Sequence, residues 1–173
     1  MSYRLFHISE RPGIKLFEPR PSPSVFDEIT GNVVYAIAEQ LLHNYLLPRE
    51  CPRVTCYPSA KTTAKDKARF FDNTTANYII AIENKWYKQI IETTLYCYEF
   101  DPANFILLDE CAGYYISYKP VEPITETPII DLIPELLKRN IELRFTPSII
   151  EFGRAVSKST LNFSLIRMRN AQT

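Results

Sequence analysis

Leu5-Phe6-His7-Ile8-Ser9 is the stretch on which the fold turns. Its aromatic and branched apolar residues favour a strand, and side chains along a strand point alternately to its two faces. With Phe6 and Ile8 directed to a core, His7 and Ser9 share the other face and open onto a cleft. A proline-punctuated loop follows, Glu18-Pro19-Arg20-Pro21-Ser22-Pro23. Each proline fixes its own φ and pushes the residue before it into extended geometry, so the loop is stiff. Val33-Val34-Tyr35-Ala36-Ile37 is then a second strand, with a tyrosine at its middle.

Further strands are predicted at 53–57, 78–83, 95–100, 105–108, 114–118, 141–145 and 161–167, and the opening strand at 3–8. Apolar residues at i, i+1, i+4 and i+5 mark three helices: Leu41, Leu42, Tyr45, Leu46; Trp86, Tyr87, Ile90, Ile91; and Leu132, Ile133, Leu136, Leu137. That spacing puts a stripe on one helix face. Asn84 and Asp131 are placed to cap helices, and Pro134 falls in a first turn, where its missing N–H is harmless. Ser148 is placed to cap a helix running to Ser157, and 61–70 predicts a short polar helix or an ordered loop. Pro120, Pro123 and Pro128 predict a broken, rigid connector. The order of elements implies a mixed α+β arrangement in one domain spanning 1–173, without the regular alternation of a doubly wound sheet.

A domain of 173 residues buries roughly 70% of its unfolded surface, and 46% hydrophobic with 23% charged residues is ordinary globular composition. Twenty basic residues balance twenty acidic ones, so no global field steers polyanions. Locally, 49–69 holds six basic and two acidic side chains, and 152–173 holds Arg154, Lys158, Arg167 and Arg169 with no acid. These form a basic patch if the segments meet, and otherwise solvated faces of separate elements. No apolar run approaches the ~20 residues of a membrane span, and the first residues lack the apolar core of a secretory signal, which predicts a cytoplasmic protein. Cys51, Cys56, Cys97 and Cys111 form no Cys-x-x-Cys pair, which predicts four reduced thiols and no metal.

His7 is either a cleft residue or a hydrogen-bonded strand histidine. Tyr35 lies on the same side of its strand as Val33 and Ile37, which suits core packing, although a cleft tyrosine would stack on a planar heterocycle. A glycine-rich phosphate loop is absent, since Gly13, Gly31, Gly113 and Gly153 lie far apart. Asp109-Glu110 precedes Gly113 and a tyrosine-rich strand, so it delivers a carboxylate to a strand edge or forms an acidic turn. The tail 162–170 is a final strand ending in arginines that bind an anion or pair with acids.

Several runs together resemble a family of small bacterial proteins of unknown function. They are Leu5-Phe6-His7-Ile8-Ser9 with Phe17-Glu18-Pro19-Arg20-Pro21, then Asn44-Tyr45-Leu46-Leu47-Pro48-Arg49-Glu50-Cys51-Pro52-Arg53-Val54. Later come Ala112-Gly113-Tyr114-Tyr115-Ile116-Ser117 and Phe163-Ser164-Leu165-Ile166-Arg167-Met168-Arg169-Asn170-Ala171.

A remoter resemblance joins the histidine strand, the mid-strand tyrosine and the late strand after an acid. It is to the His-Tyr-Glu type of ADP-ribosyltransferase, and it implies a split mixed or antiparallel sheet flanked by helices. By that resemblance His7 bonds the ribose and adenine side of NAD, and Tyr35 stacks on nicotinamide. Glu110 holds the ribose as the glycosidic bond breaks through a cation-like transition state. Where the family sets its acid on the strand, this chain has Gly113-Tyr114. The leading expectation is therefore a cleft lined by His7, Ser9, Arg20, Tyr35, Arg49 and Tyr114 that takes NAD or another nucleotide-like or phosphorylated ligand, with ADP-ribosyl transfer open. One rival is a non-catalytic binding or regulatory domain. The other is an RNA-binding or RNA-processing protein using Arg49, Arg53, Lys61, Lys65, Lys67, Arg69 and the tail arginines.

Overall fold

In the computed structural model, which describes residues 3–22 and 26–172, short strands bounded by turn-formers dominate. In chain order they are β1 (Leu5–Ser9), β2 (Val34–Ala38), β3 (Arg53–Tyr57), β4 (Tyr78–Glu83), β5 (Leu95–Phe100), β6 (Ile106–Asp109), β7 (Tyr114–Ser117), β8 (Thr125–Ile129), β9 (Ile141–Thr146) and β10 (Asn162–Ile166). The α-helices are α1 (Ala64–Phe71), α2 (Tyr87–Glu92), α3 (Leu132–Leu137) and α4 (Ile150–Ser157). The fold is α+β. The chain divides into two compact units, each with its own sheet. One unit holds Met1–Leu46 and Thr94–Ile130, the other Leu47–Thr93 and Asp131–Thr173. Segments of the two units interleave along the chain, so no linker composition marks the division.

The first unit is a six-stranded antiparallel sheet in the order β6-β7-β2-β1-β5-β8. Leu5 sits opposite Ala38 on one side and Phe100 on the other, and these share one face. Leu5, Val34, Ala36, Ala38, Tyr98 and Phe100 there pack under Phe17, Phe105 and Val121. The loop carrying Phe17 is fixed by paired backbone bonds to Val121, at 2.9 and 3.0 Å. Phe17 then meets Phe100 edge-on at 4.9 Å and Tyr98 at 5.1 Å. Phe6 is buried as expected, whereas Ile8 is only half-buried.

Strand β8, Thr125–Ile129, replaces the connector that Pro128 predicted. It lies at the sheet edge, where proline's missing N–H removes no ladder bond from the outer side. The stripe beginning at Leu41 forms a 3₁₀ helix, Glu39–Tyr45, rather than an α-helix. Asn84 opens a 3₁₀ turn instead of capping it, and Asp131 occupies its cap position without a side-chain bond. Ser148 lies just before the Ile149 cap of α4, where its Oγ accepts from the Ile150 N–H at 3.4 Å.

The second unit is a four-stranded mixed sheet, β10-β3-β4-β9, whose β4–β9 pair alone is parallel among the described strands. Val54, Cys56, Ile79 and Ala81 form one of its two buried faces, covered by Phe70 and Phe71 of α1 and by Val156 of α4. Gly153 lets α4 approach this sheet: a Cβ there would lie 3.3 Å from Met168 Cε and 3.4 Å from Val54 Cγ2.

Candidate functional site

The β1–β2 ladder runs through Leu5↔Ala38 and Phe6↔Ile37 and ends there, while β1–β5 continues to Ser9. At the point of divergence the His7 Nδ1 lies 3.0 Å from the Tyr35 carbonyl oxygen. A carbonyl only accepts, so Nδ1 carries the proton and donates it. The imidazole packs against Phe17, ring centroids 4.9 Å apart, and lies 6.3 Å from Phe100. It therefore belongs to the aromatic core of the first unit rather than to a cleft.

Tyr35 alternates with Ala36 and shares its face with Ile37 and Phe6. Its ring is thus on the opposite face from the imidazole, and the structure joins His7 to the main chain of Tyr35, not to its phenol. The Tyr35 and Ser22 hydroxyls lie 2.7 Å apart. Its ring meets Tyr114 edge-on at 6.0 Å, and Tyr114 accepts a 2.6 Å hydrogen bond from the Tyr45 hydroxyl. Phe26 adds a perpendicular ring 6.4 Å from Tyr114. Burial pushes the Tyr35 pKa up and the Ser22 bond partly offsets it, so the phenol keeps its proton beyond the ordinary range. Three half-buried phenols and a serine hydroxyl thus offer flat rings beside exchangeable hydrogen-bonding groups.

Arg20 stands at the border of this cluster. Its backbone exchanges bonds with Val33, at 2.9 and 3.0 Å, which extends the β2 side of the sheet. Arg20 bridges Val33, two residues before Tyr35, which places it on the Tyr35 face. The Arg20 side chain is exposed, and among the described residues it makes no salt bridge.

The other expected site residues are elsewhere. Ser9 Oγ accepts from the Arg11 N–H at 3.0 Å and closes a turn. Glu110 is exposed in the turn before β7, where its carbonyl accepts from the Gly113 N–H at 3.3 Å. Gly113 has φ +68°, and a Cβ there would meet Leu41 Cδ1 at 3.1 Å, so this turn needs glycine. The charge of Glu110 acts on Tyr115, whose phenol is raised mainly by burial. Tyr115 pairs with Ala36 and so faces away from Tyr35. Arg49 belongs to the second unit, where its carbonyl accepts from Arg167 Nε at 3.3 Å.

Sequence reasoning missed Ser22, Phe26 and Tyr45 as members of the cluster. Tyr45 stood in a helix stripe, which hid its hydroxyl. It also missed the carboxylate on the Tyr35 face, Glu99, which lies opposite Phe6. Arg4 forks onto Glu99 with two 2.9 Å bonds and reaches Glu39 at 2.9 Å, its guanidinium 4.8 Å over Phe6. That bond holds Glu99 ionised below the usual carboxylate range and raises Arg4.

In the second unit the two basic segments do meet, around Glu50. Its carboxylate takes Arg167 and Arg169 at 3.4 Å each and Asn170 Nδ2 at 3.0 Å. The Asn170 bond is the main reason its pKa is lowered. Arg167 adopts φ 53°, a left-handed conformation uncommon outside glycine. Arg53 is 2% exposed and donates to the Cys51 and Pro48 carbonyls at 2.8 and 3.3 Å. Arg167 and Arg169 thus share the single charge of Glu50 at the surface, and Arg53 is sequestered.

All four cysteines are thiols, and burial pushes Cys51 and Cys56 up to about 12. Among the described residues no cluster of His, Cys, Asp and Glu could hold a metal ion, and no helix is long and apolar enough to cross a membrane. A separate groove of about 310 Å³, lined by Ile14, Lys15 and 122–126, shares no residue with the tyrosine cluster.

The model of a family described as "Family of unknown function (DUF6886)" matches residues 6–171. No curated protein and no solved structure matches the chain.

Proposed function

This chain belongs to the DUF6886 family, and from that premise we propose that its first unit binds a nucleotide-like ligand, with NAD as the candidate. One observation carries the reading: the Tyr35–Ser22 and Tyr45–Tyr114 hydroxyl pairs sit beside rings that present flat surfaces, with the exposed Arg20 on the Ser22 side. The rings take a heterocycle, the hydroxyls exchange a partner for ribose or amide groups, and Arg20 takes phosphate. His7 is a positioning residue here. It holds the Tyr35 carbonyl where β2 loses its neighbour β1, and so fixes the strand that presents the phenol.

Binding without transfer is the form of this reading we favour. ADP-ribosyl transfer needs a carboxylate against the developing cation, because preorganised electrostatics is usually the largest catalytic term. Glu110 lies in a turn beside Tyr115, and Glu99 is held by Arg4. Calorimetric titration of NAD into the wild type and Arg20→Ala tests the reading. Wild-type binding that weakens roughly 10-fold in the variant is expected, as a charged hydrogen bond contributes about 1.5–3 kcal/mol. No heat from the wild type sinks it. Release of nicotinamide on prolonged incubation would show that transfer or hydrolysis occurs as well.

A further inference from the structure

We infer that the second unit carries a binding surface for single-stranded RNA over the start of α1 and the loop after α4. The two segments are stitched together. Thr62 Oγ1 donates to the Thr160 carbonyl at 3.1 Å, and the Thr63 N–H donates to Thr160 Oγ1 at 2.9 Å. Thr160 in turn donates to Asp66 Oδ2 from its N–H and its hydroxyl, at 2.8 and 2.7 Å. This brings Lys61 and Lys65 into the neighbourhood of Lys158.

Lys61, Lys65, Lys67, Arg69 and Lys158 are all exposed, and among the described residues none makes a salt bridge. The nearest acid in sequence, Asp66, is hydrogen-bonded by Thr160 and stays ionised with Arg69 acting on it, so it offsets one of these five charges. Asp72 lies past the end of α1, and Glu151 is paired with Arg154. Lys65 and Arg69 stand four residues apart on α1, like charges at helical-neighbour spacing, with the Arg69 guanidinium 5.0 Å over the Phe70 ring. A chain of phosphates relieves their repulsion. The surface differs from the basic patch of the sequence reading: Arg53, Arg167 and Arg169 leave it, because they are buried or paired, and Lys158 joins it.

Phe163 argues for nucleic acid over an acidic peptide. It is 44% exposed on the edge strand β10, three residues and so at most ~10 Å along the chain from Thr160. Cations beside an exposed ring suit a strand whose bases are free to stack.

Fluorescence anisotropy with a labelled oligouridine tests this. The wild type should bind at low salt, with log affinity falling linearly in log salt. The triple variant Lys61→Ala/Lys65→Ala/Lys158→Ala should bind more than 10-fold more weakly, with a slope smaller by about 2, since each single-strand phosphate contact contributes roughly 0.7. Phe163→Leu should weaken binding by roughly 5-fold or more without changing the slope. The substituted lysines are exposed, so an unchanged thermal midpoint in the triple variant excludes unfolding as the cause. No wild-type binding, an unchanged slope in the triple variant, or equal binding of a labelled oligoglutamate would each overturn the inference.

Discussion

On one face of the first unit's sheet, the Tyr98 hydroxyl donates to the Arg11 carbonyl at 2.8 Å and accepts from the Ile14 N–H at 3.2 Å. On the other face, the Tyr35 hydroxyl meets the Ser22 hydroxyl, and the Tyr114 hydroxyl meets the Tyr45 phenol. Both faces are rich in aromatic residues. They differ in where the polar atoms go. Around Tyr98 the hydroxyl closes a backbone turn, so displacing it would break two part-buried bonds to the main chain. Around Tyr35 the hydroxyls pair with side-chain hydroxyls, those of a serine and a second phenol. An aromatic cluster is thus structural or available for binding according to what its polar ends satisfy, and ring content alone does not distinguish the two.

The strongest challenge to this contrast is Phe100→Ala. Phe100 is 1% exposed and meets Phe17 and Phe105, so its loss should cost about 3–5 kcal/mol in chemical denaturation. A loss below ~1 kcal/mol would mean that this face is not the core. His7→Ala should cost less, about 1–2 kcal/mol, from the bond to Tyr35 and the packing on Phe17. If His7 instead contacted ligand directly, the variant would lose affinity with its stability intact, and the assignment of the two faces would fail.

High pH probes both faces, and the second unit through Tyr78. Burial raises the pKa of Tyr98, Tyr35, Tyr78 and Tyr115 above that of an unfolded tyrosine. The unfolded chain therefore ionises first, and stability should fall as pH climbs above about 10. Stability constant through that range would indicate that these phenols are hydrated. Arg4→Ala has the smallest expected effect, about 0.5–1 kcal/mol, because Arg4 is half exposed. Glu99 is lowered by its bond to Arg4, so its contribution is present above the ordinary carboxylate range and is lost as pH falls through the lowered value. An acid melting profile that is the same with and without Arg4 would remove that linkage.

Much of both sheets was legible because their strands announce themselves locally. The spans 53–57, 78–83 and 95–100 coincide with β3, β4 and β5, each rich in branched or aromatic residues between turn-formers. Strand β8 was not legible, because Pro128 is a breaker everywhere except at an edge, and edge position is decided by the whole sheet. The site was half legible. Tyr35, Tyr114 and Arg20 do fall on one side of the first unit, but His7 belongs to the other, because alternation along β1 says nothing about which face its neighbours make into the core. Ser22 and Tyr45 are brought to the cluster by a stiff loop and a 3₁₀ helix, whose reach no local pattern encodes.

Tyr35→Phe set beside Tyr98→Phe tests the contrast most directly, since each change deletes one hydroxyl and keeps the ring. NAD affinity by calorimetry and stability by urea denaturation are measured for both. Tyr35→Phe should weaken NAD roughly 3- to 10-fold, the value of one neutral hydrogen bond, with stability within about 0.5 kcal/mol of wild type. Tyr98→Phe should leave NAD affinity unchanged and cost about 1–3 kcal/mol of stability, because it strands the Arg11 carbonyl and the Ile14 N–H. The reverse pattern, with affinity lost at Tyr98 and stability lost at Tyr35, would contradict the account.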